Sequence, residues 1–257
     1  MSLVRSPVRS VVGSPARSLL GDLAGGGGGA PAFDLTTLSR YVDLDVKNRA
    51  NLDGSGSNMT TITDQGSAGL DFAESPFGDG FDYDDTAGTN NGAPGAVRLT
   101  TVATNRLLWT GDFTAGTLPN DTCWLWIGRP STQASYFAWF HDNNARRIGQ
   151  SVDGGLSTPG LNVGDHYVNQ QIVTTQNELH DQSALTDGND TYPFSYFRAE
   201  SAQTSGSTQI RFPLLSPNNF QNLMLARLLV IDQSEYDANK DGIDAAMIAL
   251  RDEYRAG

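Results

Sequence analysis

The chain has 257 residues, 38% of them hydrophobic, with 28 glycines and a formal net charge of −12. That charge repels phosphate and argues against a nucleic-acid-binding body. A single cysteine, Cys123, excludes an intrachain disulfide, and with His141, His166 and His180 scattered it gives no zinc-ligand spacing.

The first 33 residues carry Arg5, Arg9 and Arg17 against one acid, Asp22, while the remainder holds 28 of the 29 acidic residues. A basic arm therefore precedes an acidic body. Within it, Ser6-Pro7-Val8-Arg9-Ser10 is echoed by Ser14-Pro15-Ala16-Arg17-Ser18, and Gly25–Gly29 comes next as a linker. Proline removes donors and favours extended backbone, so a stable helix is not expected here. Such an arm has too little apolar bulk to fold alone and orders on a partner. Val8, Leu19 and Leu20 offer apolar pegs, and Arg5, Arg9 and Arg17 offer bidentate donors to carboxylates. Residues 1–24 contain no unbroken apolar run of the secretory type, and no segment is apolar enough to span a membrane.

From residue 34 onward, short strand-like runs alternate with Gly-, Asn- and Asp-rich turns. Strands are predicted at 41–46, 97–100, 122–129, 135–142, 146–152, 170–175, 193–200, 209–215 and 223–231. Asp142-Asn143-Asn144 reads as a tight hairpin, and the spacing suggests a sandwich or barrel. One helix is predicted near the end, with Ile243, Met247, Leu250 and Tyr254 at helical spacing and Asp241 as its cap.

Three constellations invite chemistry. Asp79, Asp82, Asp84 and Asp85 crowd four carboxylates into one loop-like stretch, either a solvated acidic loop or one bridged by a calcium ion. Asp237-Ala238-Asn239-Lys240-Asp241-Gly242 opens like a calcium-binding loop but has Ile248 where the bidentate acid belongs, so it reads instead as a capping turn. In 122–129 and 135–142 both faces are apolar, so something covers each: a loop, a subunit or a ligand. Trp124, Trp126, Trp139 and His141 are accordingly either core or interface residues, or a glycan-stacking surface. Hydrolase, metalloprotease and P-loop motifs are absent, and a non-enzyme is expected.

Thr61-Ile62-Thr63-Asp64-Gln65-Gly66-Ser67-Ala68-Gly69 resembles the "W-x-D-x-S-G-N-G" segment of concanavalin A-like / laminin G-like domains, without its tryptophan. Gly95–Leu99 resembles the strand after it, and Arg227–Asp232 with the terminal helix resembles the closing strand and helix. The resemblance implies an all-β, antiparallel jelly-roll β-sandwich over 34–257 with one C-terminal α-helix, a fold often used to bind glycans, sometimes with calcium. The arm of 1–33, extended and basic, resembles the N-termini of tailed-phage virion structural proteins. This second resemblance implies a tail or head appendage anchored to other virion proteins, a homo-oligomer with a trimer favoured, and a lectin-like domain toward host-surface glycans. It would be made in the host cytoplasm and leave by lysis. A capsid decoration (cement) protein and a free carbohydrate-binding module or glycan depolymerase are the alternatives.

Overall fold

A computed structural model describes residues 32–47, 49–55, 58–74, 81–84, 95–99, 108–129, 136–142, 147–152, 165–173, 193–215 and 223–256. They form strands β1 (Arg40–Asp45), β2 (Leu52–Ser55), β3 (Asn58–Ile62), β4 (Phe72–Glu74), β5 (Phe81–Asp84), β6 (Ala96–Leu99), β7 (Leu108–Trp109) and β8 (Thr122–Arg129). Then come β9 (Tyr136–Asp142), β10 (Arg147–Val152), β11 (His166–Val168), β12 (Gln171–Val173), β13 (Ser195–Ala202), β14 (Ile210–Phe212), β15 (Leu214–Leu215), β16 (Met224–Asp232) and helix α1 (Gln233–Arg255).

Strand pairing is antiparallel throughout. One sheet is centred on β8, flanked by β16 and β13; β16 takes β1 and β6 on its far side, and β13 leads to β11 and β12. The other runs β10-β9-β14-β7-β4-β3, with β15 also on β9 and β2 on β3. The β5–β6 pair carries the ladder from one sheet into the other. The protein is thus mostly antiparallel sheet in two layers, with one C-terminal helix.

Alternation along β8 explains the layering. Trp124 and Trp126 point between the sheets into a core with Trp139, Phe140, Phe197 and Phe212. Cys123, Leu125 and Ile127 point the other way, into a second core completed by Tyr236, Ile243, Met247 and Tyr254 of α1. The cover demanded by a strand apolar on both faces is therefore the chain's own helix. In β16 the register shifts between Leu225 and Arg227. This bulge swaps the parity of the strand beyond it, so the odd-numbered Leu229 and Ile231 share the helix-facing side with the even-numbered Met224 and Ala226.

Two elements differ from expectation. The predicted strand 209–215 divides at Pro213 into β14 and β15, because proline has no N–H for the ladder. The helix starts at Gln233, eight residues before Asp241, which is no cap but an exposed helical residue. Asn239 departs from helical geometry (φ −123°, ψ 15°), and its side chain donates to the Glu235 carbonyl at 3.0 Å. An amide bonded back to its own helix bends it there. The calcium-loop-like stretch 237–242 lies inside this bent helix. The predicted hairpin joins β9 to β10 with His141 opposite Arg147; its connection, 143–146, lies outside the described residues.

Candidate functional site

The aromatic seam between the sheets is built around Trp126. Its indole stacks on Phe197 at 5.3 Å and 9°, and meets Phe140 edge-on at 5.7 Å. Trp139 lies 5.2 Å from Phe197 and 6.1 Å from Phe212. Two glycines make room for it. A Cβ on Gly149 would stand 2.7 Å from Trp139 Cδ1 and 2.6 Å from Trp126 Cζ2, and one on Gly128 would stand 2.6 Å from Trp139 Cζ3. Gly149 also has φ +67°, a conformation that L side chains avoid. Its N–H donates to His166 Nε2 at 3.0 Å, joining edge strand β10 of one sheet to β11 of the other. Trp124 is held by a bond from its Nε1 to Thr122 Oγ1 at 3.0 Å. All three tryptophans are fully buried and offer no face to a sugar ring. The sequence places them as stacking candidates; the structure places them as packing.

His141, grouped with them, is nine-tenths buried. It lines a cavity of about 10 Å³, roughly the room of one water, with Trp124, Ile148, Thr204 and Ser207. Its Nε2 makes no hydrogen bond within the described residues. Burial, and then the neighbouring Arg211 guanidinium, lower its pKa to about 4 against the opposing pull of Asp142. Asp142 accepts from Ser207 Oγ at 2.6 Å, so that hydroxyl is aimed at the carboxylate and not at the imidazole.

Beneath α1 lies a polar network that the sequence pattern did not single out. Arg198 of β13 is buried and binds both oxygens of Asp244, at 3.1 and 2.9 Å. Tyr196 and Tyr236 donate to the same carboxylate at 2.7 and 3.1 Å. The guanidinium lies 3.8 Å from the Tyr167 ring centre and 2.8 Å from Glu200. Burial, and then Asp244, push the Tyr196 hydroxyl well above its usual range. Arg251 ties the helix to Asn169 at 3.0 Å, in the tight β11–β12 turn where Asn169 and Gln170 both have positive φ. The available signal was Asp244 sitting beside Ile243 on the apolar stripe of the helix, which demands a buried cation opposite.

The segment Thr61–Gly69 turns on Asp64. Its buried carboxylate accepts from the N–H groups of Asp43 (2.7 Å), Gly66 (2.8 Å) and Leu70 (2.7 Å). Burial raises its pKa against the pull of those three donors. The next carboxylate along the sheet, Asp43, is paired to Arg40 and, at 2.5 Å, to Arg227.

Of the acidic run, Asp82 and Asp84 fall on β5, opposite Arg98 and Ala96, while Asp79 and Asp85 lie outside the described residues. Among the described residues no group of three or more His, Cys, Asp or Glu could hold a metal. Arg5, Val8, Arg9, Arg17, Leu19 and Leu20 lie outside the described residues, whose compact unit begins at Phe33. No helix among the described residues is long and apolar enough to cross a membrane.

No protein-family profile and no curated protein matches the chain. Among solved structures it is similar to a cleaved adhesin domain of Lys-gingipain from Porphyromonas gingivalis. The identity is 11%, the match covers 61% of this chain and 86% of that one, and the TM-score is 0.33.

Proposed function

We propose that this chain is a virion structural protein of a tailed phage, an arm-anchored appendage on tail or head whose body is a concanavalin A-like jelly roll. The observation that carries the reading is the charge polarity of the sequence: Arg5, Arg9 and Arg17 in a Ser/Pro-repeated arm ahead of a body with 28 acids. Three arginines on an extended segment bind carboxylates bidentately, and a repeated weak contact gains by avidity on a multimeric partner. The Gly25–Gly29 run decouples the orientation of the body from that of its anchor. Two features support the jelly-roll assignment: the Asp64-centred turn where the domain's short motif is expected, and a closing strand, β16, that runs directly into the terminal helix. The role rests on attachment, and the tryptophans of the sandwich belong to its core.

The test is deletion of residues 1–30 in a phage whose own copy is replaced. The truncated protein is expected to be soluble and folded by circular dichroism, yet missing from purified particles. Incorporation at normal copy number would remove the basis of the proposal.

A further inference from the structure

Three of the four tryptophans pack in the seam between the sheets; the fourth, Trp109, does not. It stands on β7, between β14 and β4 of the second sheet, and its indole is partly exposed. Parity explains this. Leu108, Phe212, Phe72 and Ile62 are the inward residues of β7, β14, β4 and β3, and all four are fully buried in the core between the sheets. Their chain neighbours Trp109, Arg211, Ala73 and Thr61 therefore face the other way, onto the outer surface of that sheet.

Register then sets these residues side by side. Trp109 lies opposite Arg211 on one side and Ala73 on the other. Ala73 lies opposite Thr61, and Thr61 opposite Asp53 of β2. Directly opposed residues of an antiparallel pair share a face, with their Cβ atoms about 5 Å apart. The row from Arg211 to Asp53 is thus about 20 Å long. It places a cation at one end, an indole beside it, then a bare methyl group, and a hydroxyl and a carboxylate at the far end.

Two features of this row are not those of structural pairing. An aromatic side chain on a sheet face gains by lying against another ring or a β-branched neighbour. Trp109 has only the methyl group of Ala73 on one flank, and among the described residues its indole meets no ring and its Nε1 donates to no acceptor. Arg211, in a chain of 29 acidic residues, forms no ion pair with a described residue. Its Nε and Nη2 instead donate to Gln209 Oε1 at 3.1 and 2.5 Å, and Gln209 Nε2 donates to the exposed Asp112. The amide fixes the guanidinium and keeps the Asp112 carboxylate one side chain away from it. The Nη1 side of the fork keeps its donors for a further acceptor.

An indole flanked by a methyl group takes a flat apolar surface, and a guanidinium one place along takes a carboxylate through two parallel hydrogen bonds. A sugar ring that carries a carboxylate offers both at once: an apolar C–H face and an anion at its edge. Its hydroxyls match Trp109 Nε1, Thr61 and Asp53. We propose that the outer face of the second sheet binds a carboxylate-bearing sugar, a uronic or sialic acid residue of an acidic glycan, stacked on Trp109 beside Ala73 and held at its carboxylate by Arg211. The site lies in the body and is independent of the arm and its role in attachment.

Calorimetric titration of the full chain with oligosaccharides of galacturonic, glucuronic and sialic acid tests this. Each is compared with its methyl ester, which keeps the ring and removes the charge. At least one free acid is expected to bind, about tenfold or more tightly than its ester. Arg211→Gln should bring the acid down to the level of the ester. Trp109→Ala should weaken binding at least about tenfold, and Trp109→Phe, which keeps a ring, less than about threefold. Ala73→Leu leaves both recognition groups in place but fills the flank of the indole, and should weaken binding at least about fivefold. Circular dichroism establishes that each variant is folded, and Trp109→Phe and Ala73→Leu carry the test if Trp109→Ala is not. No binding of any acid up to about 1 mM, equal affinity for acid and ester, or binding that survives both Trp109→Ala and Ala73→Leu would overturn the proposal. So would self-association, measured by light scattering, that Trp109→Ala abolishes, since the row would then be a contact between copies of the chain.

Discussion

Trp139→Ala tests whether the aromatic seam is the mechanical centre of the sandwich. Removing a fully buried indole forfeits its transfer free energy and leaves a cavity, together about 3–5 kcal/mol. Here the ring rests on Gly128 and Gly149, which have no side chains to swing into the space, and its other neighbours are ring-packed Trp126, Phe197 and Phe212. Little collapse is available, so the cost is expected near about 4–5 kcal/mol. In urea, with a slope of about 2–3 kcal/mol per molar, the midpoint should fall by about 1.3–2.5 M without a change of slope. Gly149→Ala alone should cost about 1–3 kcal/mol by overpacking, more for its positive φ. In the Trp139→Ala background part of that clash is gone, and the double variant should be less destabilised than the sum by about 1 kcal/mol or more. A midpoint shift below about 0.4 M for Trp139→Ala, or strict additivity with Gly149→Ala, would refute this account of the core.

His141 is neutral when folded, with its pKa lowered to about 4, and titrates near 6.5 when unfolded. The unfolded chain therefore binds the extra proton first, so stability falls as pH drops from about 6.5 to about 4, by about 3 kcal/mol in all, and then levels off. His141→Gln should flatten that segment of a stability-versus-pH curve measured by urea unfolding; an unchanged curve would count against a buried neutral imidazole. Asp244→Ala leaves Arg198 buried without its main partner and should cost about 3–5 kcal/mol, whereas Arg198→Met with Asp244→Leu should recover much of the loss; thermal unfolding of the three variants decides. Cys123 is fully buried with its thiol pushed well above the usual range, chiefly by burial. It should react with a chromogenic disulfide reagent at the rate of unfolding and no faster, which a denaturant series would show.

Much of the fold was legible because β-branched and aromatic runs alternate with turn residues. The 122–129 segment matches its strand to the residue, and 135–142, 146–152 and 223–231 fall within a residue of theirs. Of the strands the sequence pattern did not predict, β4, β7 and β11 are two or three residues long, too short to display a period, and β2, β3 and β5 are only four or five residues and largely polar. The apolar double face of 122–129 was legible as a demand for cover, but periodicity in one segment does not say which element answers it. The helix starts earlier than its periodicity because Gln233–Lys240 is polar and only Tyr236 in it faces the core. For the site, tryptophans chosen for their chemistry prove to be chosen for their volume, since burial is a property of partners distant in sequence. Asp244 on the apolar stripe of the helix signals a buried partner, but Arg198 lies 46 residues away and nothing local marks it as that partner.

Helix α1 comes after every strand in chain order, and it alone supplies Tyr236, Ile243, Met247 and Tyr254 to the outer side of the β8–β16 sheet. During synthesis at about 5–20 residues per second, the 23 residues of the helix take about one to five seconds to be made. Until the helix docks, a sandwich whose inner core has closed carries Cys123, Leu125, Ile127, Leu229 and Ile231 uncovered. The half-made protein is thus stickier than either the unfolded chain or the finished one. The speed with which the helix docks, and chaperones that hold sheet surfaces, should set its yield more strongly than the stability of the completed domain.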